Sequence, residues 1–198
     1  MNDRERWDAR YAEVTRPAQP SAFVTEQAAV LPSRGRAADL AGGTGGTALW
    51  LAERGLHTTL VDVSPRALDI ARAEADRRRV PLTTLACDLE AGRGLDEVVD
   101  ALGELDLVVV TNYHHPALWA RLVDLLAPGG VALCLVATTT NLERNEHPRR
   151  PFLVEPGELV TLCSGLEPMS FAEDWFADRH EARLVARAPG SGQAVSER

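Results

Sequence analysis

Three aspartates and a cluster of glycines have the types and the spacing that ligand binding requires. Asp39, Asp62 and Asp88 each follow a short apolar stretch, and a glycine-rich run follows the first of them. Glycine lets the backbone approach a ligand closely, and the helix that begins after such a run points free N–H groups at the ligand. We therefore predict a nucleoside-binding site. The glycines expected to allow close approach are Gly42, Gly43 and Gly45.

Each aspartate has an expected partner on the ligand, because a carboxylate accepts hydrogen bonds from hydroxyl, amino and ammonium groups. Asp62 is expected to accept from both hydroxyls of a ribose, and Asp88 from the amino group of an adenine. Asp39 would hold an ammonium group, directly or through a water. Purely structural roles are the alternative: Asp62 would cap the next helix, although Ser64 already fits that position, and Asp39 would form the turn.

The elements that must position these residues alternate between strand and helix. Apolar and β-branched stretches predict five strands, at Arg36–Asp39, His57–Val61, Pro81–Cys87, Leu105–Thr111 and Val131–Ala137. Helices are predicted between them, at Ala48–Arg54, Arg66–Arg79 and Pro116–Leu126, with a weak helix inside Glu90–Gly103. This alternation predicts an α/β fold with a Rossmann-like, doubly wound, mostly parallel sheet. The carboxyl ends of its strands would bring the aspartates to one crevice.

The two ends of the chain depart from this alternation. Helices are predicted at Asn2–Val14, Ser21–Val30 and Glu155–Ser164, and strands at Leu166–Phe171 and Glu181–Arg187. A turn around Asp174–Arg179 would join these two strands into a C-terminal hairpin. We predict one domain over residues 1–188, in which 1–34 form a helical lid, and a flexible tail over 189–198.

Composition argues against several classes of function. The net charge of −8 over 198 residues argues against nucleic acid as the main partner. No apolar run approaches the roughly 20 residues of a membrane span, and the N-terminus lacks the apolar core of a secretory signal. The three scattered cysteines predict reduced thiols in a cytoplasm. His114 and His115 are neighbours and lack the spacing of metal ligands, so no metal is expected. The chain is expected to be a monomer or a homodimer.

Two nucleoside ligands compete for the glycine-rich turn. Gly43–Ala48 fits the dinucleotide fingerprint GxGxxA, and Asp62 follows at about the 20-residue spacing of nicotinamide enzymes. A pyrophosphate, however, would be repelled by Asp39 in front of the glycines. The chain contains no lysine for the usual hydride-transfer pair, and 198 residues leave no room for a separate substrate domain. A ligand with an ammonium end, a ribose and an adenine, but no phosphate, is S-adenosylmethionine.

Four short segments lie at strand ends in a characteristic order. They are Asp39–Gly45 (family pattern D-x-G-x-G-x-G), Val61–Ser64, Cys87–Glu90 and Leu126–Gly130. Together they resemble the class I S-adenosylmethionine-dependent methyltransferases over most of Arg36–Ala137. The resemblance implies S-adenosylmethionine as cofactor, a seventh, antiparallel strand, and cofactor contacts from Val63 and the Leu89 N–H. Ala41 stands where the family most often has glycine, and its methyl group is expected to be tolerated beside the cofactor.

Residues near the two ends carry a second resemblance. Trp7–Tyr11, Arg150–Leu159 and Ala182–Arg187 are similar to segments of small-molecule methyltransferases of the tellurite-resistance and thiopurine type. This implies a small acceptor, such as a thiol or a metalloid oxyanion. Residues expected to cover the cofactor, unless their helix only packs, are Trp7, Arg10 and Tyr11. Residues expected in the acceptor pocket, unless the arginines form a solvated surface, are Arg149, Arg150, Phe152 and His180.

The segment after the fourth predicted strand is where the methyl group should emerge. Asn112 is expected to contact the cofactor, and Tyr113 or His114 to orient the acceptor or take its proton, although a plain loop is an equal interpretation. No nucleophile–base triad is visible, as expected for in-line displacement at a sulfonium, where alignment supplies most of the rate. Two alternatives stay open: a protein or other macromolecule as acceptor, and a protein that binds the cofactor without catalysis.

Overall fold

Seven strands form one sheet in the computed structural model, which describes residues 2–190. The strands are β1 (Arg36–Leu40), β2 (His57–Asp62), β3 (Leu82–Ala86), β4 (Leu105–Thr111), β5 (Leu126–Ala137), β6 (Glu167–Phe176) and β7 (Arg179–Arg187). Their order across the sheet is β3-β2-β1-β4-β5-β7-β6. Strand β7 pairs antiparallel with both of its neighbours, and the other pairs are parallel. The predicted fold, with its antiparallel strand in a C-terminal hairpin, is confirmed.

Helices cover both faces of the sheet. They are α1 (Asp3–Arg10), α2 (Ala22–Glu26), α3 (Gly46–Glu53), α4 (Pro65–Arg78), α5 (Gly94–Leu102), α6 (Pro116–Leu125) and α7 (Glu158–Leu162), with 3₁₀ turns at Thr139–Glu143 and Arg150–Phe152. Alternate residues of β4 enter opposite layers of the core: Val108 packs in the layer that contains α5, α6 and α7, and Val109 in the layer that contains α2 and α3. Such two-sided burial explains the continuous apolar run Leu107–Val110 within β4.

Local sequence signals explain where the helices near the crevice begin. The Ser64 hydroxyl accepts from the Ala67 N–H at 3.1 Å, and Pro65 occupies the first turn of α4, as predicted. Asn2 and Glu5 form a reciprocal capping box at the start of α1. These caps place the N-termini of both helices beside the carboxyl ends of the strands.

Several predicted boundaries are wrong, mostly toward the ends of the chain. Helix α1 ends at Arg10 instead of Val14, and α2 ends at Glu26 instead of Val30. Strand β5 begins at Leu126, because Leu126 pairs with Leu105 across a register shift. Strand β6 continues to Phe176, because the turn of the hairpin is confined to 177–178, and the segment predicted as a weak helix forms α5. The predicted tail lies outside the described residues from position 191 onward.

No helix within residues 2–190 combines the length and the apolar character that crossing a membrane requires.

We expect Gly45→Ala to destabilise the fold through two separable effects. Gly45 has φ +78°, and a Cβ there would lie 2.8 Å from a Leu60 methyl carbon and 2.9 Å from the Ala71 Cβ. The left-handed conformation should cost about 1–2 kcal/mol, and the overpacking a further ~1–3 kcal/mol. Urea unfolding with Gly157→Ala as the matched control separates them, because Gly157 has φ +77° with nothing within 4 Å of its Cβ position. Equal losses in the two variants would contradict the packing argument.

Candidate functional site

A cleft lies where α1 covers the carboxyl ends of strands β1 to β4. Its walls come from α1 and from the segments that follow each of these strands. The lining residues are Asp3, Trp7, Tyr11, Ala41, Asp62, Val63, Cys87, Asp88, Leu89, Glu90, Asn112 and Tyr113. The structure thus brings together most of the residues predicted to contact a cofactor, although they are spread over more than a hundred positions of the sequence.

The Asp62 carboxylate connects the ends of two neighbouring strands. Its Oδ2 accepts from the Gly43 N–H at 2.7 Å, and its Oδ1 accepts from the Ser64 N–H at 2.9 Å. Burial raises the pKa of this carboxyl, and the two N–H donors act in the opposite direction. A carboxylate has about four acceptor positions, so each oxygen keeps one for a further donor. Two adjacent hydroxyls of a ribose fit that capacity.

Asp39 lies behind the glycine turn and is only 2% exposed. Its Oδ2 accepts from the Ala48 N–H at 3.1 Å, in the first turn of α3. Burial raises the pKa of Asp39 to about 7, with a smaller contribution from the charge of Asp62. Asp39 is not among the described residues that line the cleft, so its contact with a ligand ammonium group stays a prediction.

The glycines of the turn make room for protein groups. A Cβ on Gly42 would lie 2.6 Å from the Asp39 carboxylate, and one on Gly43 would lie 2.7 Å from the Tyr11 hydroxyl. Neither of these glycines, nor Gly45, is among the described residues that line the cleft. The geometry shows that Asp39 and Tyr11 approach the backbone of these glycines closely. Close approach of a cofactor to the glycines stays a prediction.

Ala41 forms part of the wall in a left-handed conformation, with φ +52°. This conformation suits glycine and costs an alanine about 1–2 kcal/mol. The position where the methyltransferase family most often has glycine therefore keeps a glycine-type backbone in this chain, with a methyl group added to the wall of the cleft.

The segment after β3 offers one donor and one acceptor to the cleft. Asp88 Oδ1 accepts from the Glu90 N–H at 3.0 Å, which leaves the other carboxylate oxygen for a ligand. No hydrogen bond of the Leu89 N–H is found among the described residues, although Leu89 is only 5% exposed. An N–H that has no partner among the described residues, beside a carboxylate, matches the ring nitrogen and amino group of an adenine, so this donor and acceptor set fits the predicted cofactor.

Helix α1 is attached to the N-terminus of α4 by side-chain contacts. The Ser64 hydroxyl donates to Asp8 at 2.5 Å, and the Arg66 guanidinium donates to the backbone carbonyls of Tyr11 and Ala12. The rings of Trp7 and Tyr11 stack with centroids 5.9 Å apart, and both line the cleft.

Other parts of the N-terminal segment are held differently. Arg10 lies with its guanidinium carbon 5.5 Å from the Trp7 ring centroid and is not among the described lining residues. Further along, Ala18 and Ser21 donate backbone N–H groups to the hydroxyls of Thr44 and Thr47 at 2.9 and 3.0 Å. The N-terminal segment therefore crosses the glycine turn as well as covering the cleft.

Tyr113 and His114 have different surroundings although they are neighbours. The Tyr113 hydroxyl lines the cleft and donates to Glu90 Oε1 at 3.3 Å, and burial together with the Glu90 charge raises the pKa of the phenol above its ordinary value. His114 Nδ1 accepts from the Trp119 indole at 3.0 Å, and burial lowers the pKa of the imidazole. Only Tyr113 faces the cleft, as a protonated donor, so this geometry does not support His114 as a proton acceptor there.

The residues predicted for an acceptor pocket are not brought to this cleft within the described part of the chain. Arg150 pairs with Glu155 and keeps 70% of its side chain exposed. Phe152 is 42% exposed and lies near Arg6. His180 Nδ1 lies 2.7 Å from the Thr138 hydroxyl, beyond the end of β5. Arg149 precedes the second 3₁₀ turn on the exposed surface.

Sequence reasoning missed three lining residues, which are Asp3, Cys87 and Glu90. Cys87 and Glu90 flank the predicted Asp88–Leu89 pair, so their position after a strand was a usable signal. Asp3 had none, because its place on the cleft depends on the angle at which α1 crosses the sheet.

We expect stability to depend on the Asp39 proton between about pH 4 and pH 7. The folded pKa of about 7 exceeds the ordinary aspartate pKa of 3.8, so the folded state keeps a proton that the unfolded state releases. The free energy of unfolding therefore falls by about 1.4 kcal/mol per pH unit as pH rises through this window. In Asp39→Asn this contribution is absent. Urea unfolding should show that the free energy of unfolding of the variant rises relative to that of the wild type as pH increases to 7. A difference between the two proteins that does not change with pH would contradict the burial argument.

Residues 37–130 match a family model described as a methyltransferase domain. A comparison with curated protein sequences found no match. Several solved structures are similar to this chain in fold. One of them was described in connection with the conversion of a disulfide bond into a thioacetal group during echinomycin biosynthesis. That protein has a TM-score of 0.71 and 22% identity, and the alignment covers 96% of this chain and 94% of the other.

Two further structures show the same fold at lower identity. Magnesium protoporphyrin IX methyltransferase from Synechocystis PCC 6803, with bound S-adenosylhomocysteine, has a TM-score of 0.70 and 15% identity over 93% of this chain and 97% of that one. TehB from Haemophilus influenzae has a TM-score of 0.69 and 16% identity. The alignment covers 91% of this chain and 66% of TehB. The family match covers the segments after β1, β2, β3 and β4 that line the cleft, though not α1, and the donors and acceptors on these segments fit an adenosyl group. This chain therefore matches a methyltransferase domain over residues 37–130, and its structure has the fold of S-adenosylmethionine-dependent methyltransferases.

Proposed function

We propose that the protein transfers a methyl group from S-adenosylmethionine to a small-molecule acceptor, and that a thiol or similar uncharged nucleophile is favoured. The observation that carries the proposal is the cleft itself, which joins an adenosine-type set of donors and acceptors to a cover made by α1. The bound cofactor would supply an electrophilic methyl group on a sulfonium. The bond from the acceptor to the methyl carbon would form as the methyl–sulfonium bond breaks, its electrons would stay with the cofactor's sulfur, and the proton of a thiol acceptor would pass to water.

The roles of the chain's own residues in this proposal are binding, orientation and exclusion of water. Asp62 would accept from the two ribose hydroxyls, and Asp88 with the Leu89 N–H would hold the adenine. Trp7 and Tyr11 cover the cleft from α1 and exclude water. Alignment of the two reacting atoms at ~3–3.5 Å is then the main source of the rate.

The charge of the lining supports an uncharged acceptor over a metalloid oxyanion. Four carboxylates, those of Asp3, Asp62, Asp88 and Glu90, line the cleft, and the lining residues within the described chain include no arginine or histidine. Asp3 pairs with Arg6 at 3.0 Å, whereas Glu90 faces the Tyr113 hydroxyl. Like charges in a partly dry cleft repel strongly, so an oxyanion would be at a disadvantage there.

The cover over the cleft also supports a small acceptor over a macromolecule. Helix α1 is attached to α4 at Asp8 and Arg66, and a protein acceptor would have to reach past it. The three cysteines at positions 87, 134 and 163 are free and buried, which is compatible with action in a reducing cytoplasm. The oligomeric state, monomer or homodimer, stays a prediction.

Asp62→Ala tests the cofactor site directly. The variant should bind S-adenosylhomocysteine about 2–4 kcal/mol more weakly, because it loses charge-assisted hydrogen bonds to two hydroxyls. Isothermal titration calorimetry measures this, with Asp76→Ala as a control on the exposed surface of α4. Equal affinity in Asp62→Ala and wild type would refute the role of Asp62.

A series of thiols that differ in charge tests the acceptor. We expect transfer of a labelled methyl group to 2-mercaptoethanol, which is uncharged near neutral pH, at a higher kcat/KM than to mercaptoacetate, and at least tenfold less transfer to tellurite than to 2-mercaptoethanol. Like-charge repulsion in the cleft is the reason. Product mass spectrometry measures each rate. A preference for tellurite would favour the oxyanion, and binding of the cofactor without transfer to any probe would favour a macromolecular acceptor or a catalytically silent protein.

A further inference from the structure

Asn112 connects the cleft to the C-terminal hairpin. It follows β4, lines the cleft, and has a left-handed backbone conformation with φ +59°. Its N–H donates to the Leu135 carbonyl at 2.9 Å, which fixes the backbone beside β5. Its side-chain Oδ1 accepts from Arg179 Nη1 at 2.8 Å. Arg179 begins β7, so an element far along the chain holds a side chain of the cleft.

The contact with Arg179 determines which way round the Asn112 amide lies. A guanidinium has only donors, so the amide must turn its oxygen toward Arg179. The orientation of an asparagine amide is assigned from such partners, and here the partner allows one assignment. With Oδ1 engaged by Arg179, the Nδ2 group is the part of the amide left to the cleft, and it offers two N–H donors.

The order of the strands locates Asn112 along a bound cofactor. Asp88 follows β3 and Asp62 follows β2, so the adenine and the ribose lie over that side of the sheet under the proposed assignment. Across the order β3-β2-β1-β4, the rest of the molecule extends toward β1 and β4. Asn112 follows β4 and therefore lies at the amino-acid end of the cofactor.

Among the described residues of the cleft, side-chain donors for the carboxylate of that amino-acid end are few: they are the Asn112 amide, the hydroxyls of Tyr11 and Tyr113, and the Trp7 indole. The lining within the described chain contains four carboxylates and no arginine, and the Tyr113 hydroxyl already donates to Glu90. We propose that Arg179 is a positioning residue that fixes the Asn112 amide so that its Nδ2–H donors bind the carboxylate of the cofactor's amino-acid end. This inference rests on the proposed adenosine site of Asp62 and Asp88.

Removal of the Arg179 guanidinium should leave the surrounding structure intact. Arg179 lies 3.7 Å from Glu181, a residue that is 6% exposed. Arg183 also donates to Glu181, through two nitrogens at 3.1 and 3.0 Å. The buried carboxylate therefore keeps a charged partner in an Arg179 variant, and a change in binding reports on Asn112.

Two ligands that differ only at the amino-acid end provide the test. S-adenosylhomocysteine carries the carboxylate, and 5′-methylthioadenosine has the same adenosine and thioether without it. By calorimetry, Arg179→Met should weaken binding of S-adenosylhomocysteine roughly five- to tenfold, as expected for loss of a hydrogen bond to a charged group. It should change binding of 5′-methylthioadenosine less than twofold. Arg179→Lys, which restores a donor, should lie between Arg179→Met and wild type.

Controls separate this role from a general effect on folding. Asn112→Gly, which tolerates the positive φ, should match Arg179→Met, and the double variant should be no worse than either single variant. Arg187→Met, at the exposed far end of β7, should bind both ligands like wild type. Equal losses for both ligands, or no loss in Arg179→Met, would overturn the inference. Failure of wild type to bind either ligand would instead refute the proposed adenosine site and the inference with it.

Discussion

One carboxylate, that of Asp62, holds together the parts of the molecule that form the cleft. It accepts from the Gly43 N–H after β1 and from the Ser64 N–H after β2, so the two central loops have a fixed separation. Because Ser64 also caps α4 and donates to Asp8, the same local network positions helix α1. Burial of a charged carboxylate costs folding free energy unless several donors surround it. Here each oxygen of Asp62 accepts from one backbone N–H and keeps an acceptor position for a ligand.

The parts of the fold that could be predicted from sequence are those buried on both faces. Strand β4 has the predicted bounds, Leu105–Thr111, because its segment Leu107–Val110 is buried on both faces and is therefore wholly apolar. The same physics places Asp62 and Asp88 correctly, since an acid at the end of an apolar run must lie at the rim of the sheet. The sequence pattern did not predict the position of the Asp39 side chain, because residue order does not show that its carboxylate turns inward to accept from the Ala48 N–H.

Other features depend on distances in space that leave no local pattern. Strand β6 is an edge strand whose side chains are mostly exposed, including 43% of Met169 and 40% of Phe171, so its sequence shows no buried face. The contact of Tyr113 with Glu90 joins segments after β4 and β3, which two other strands separate. Likewise, the packing of His114 against Trp119 follows from the start of α6 and could not be inferred from residue types.

The two sets of contacts that hold the N-terminal segment differ in kind, and this limits how it can move. Backbone N–H groups of Ala18 and Ser21 are bonded to threonine hydroxyls beside the glycine turn, whereas α1 is held by the side chains of Ser64 and Arg66. Any displacement of α1 that preserves the first set has its pivot in residues 13–17. A helix displaced about that pivot would carry its first turn, with Asp3, farthest from the cleft.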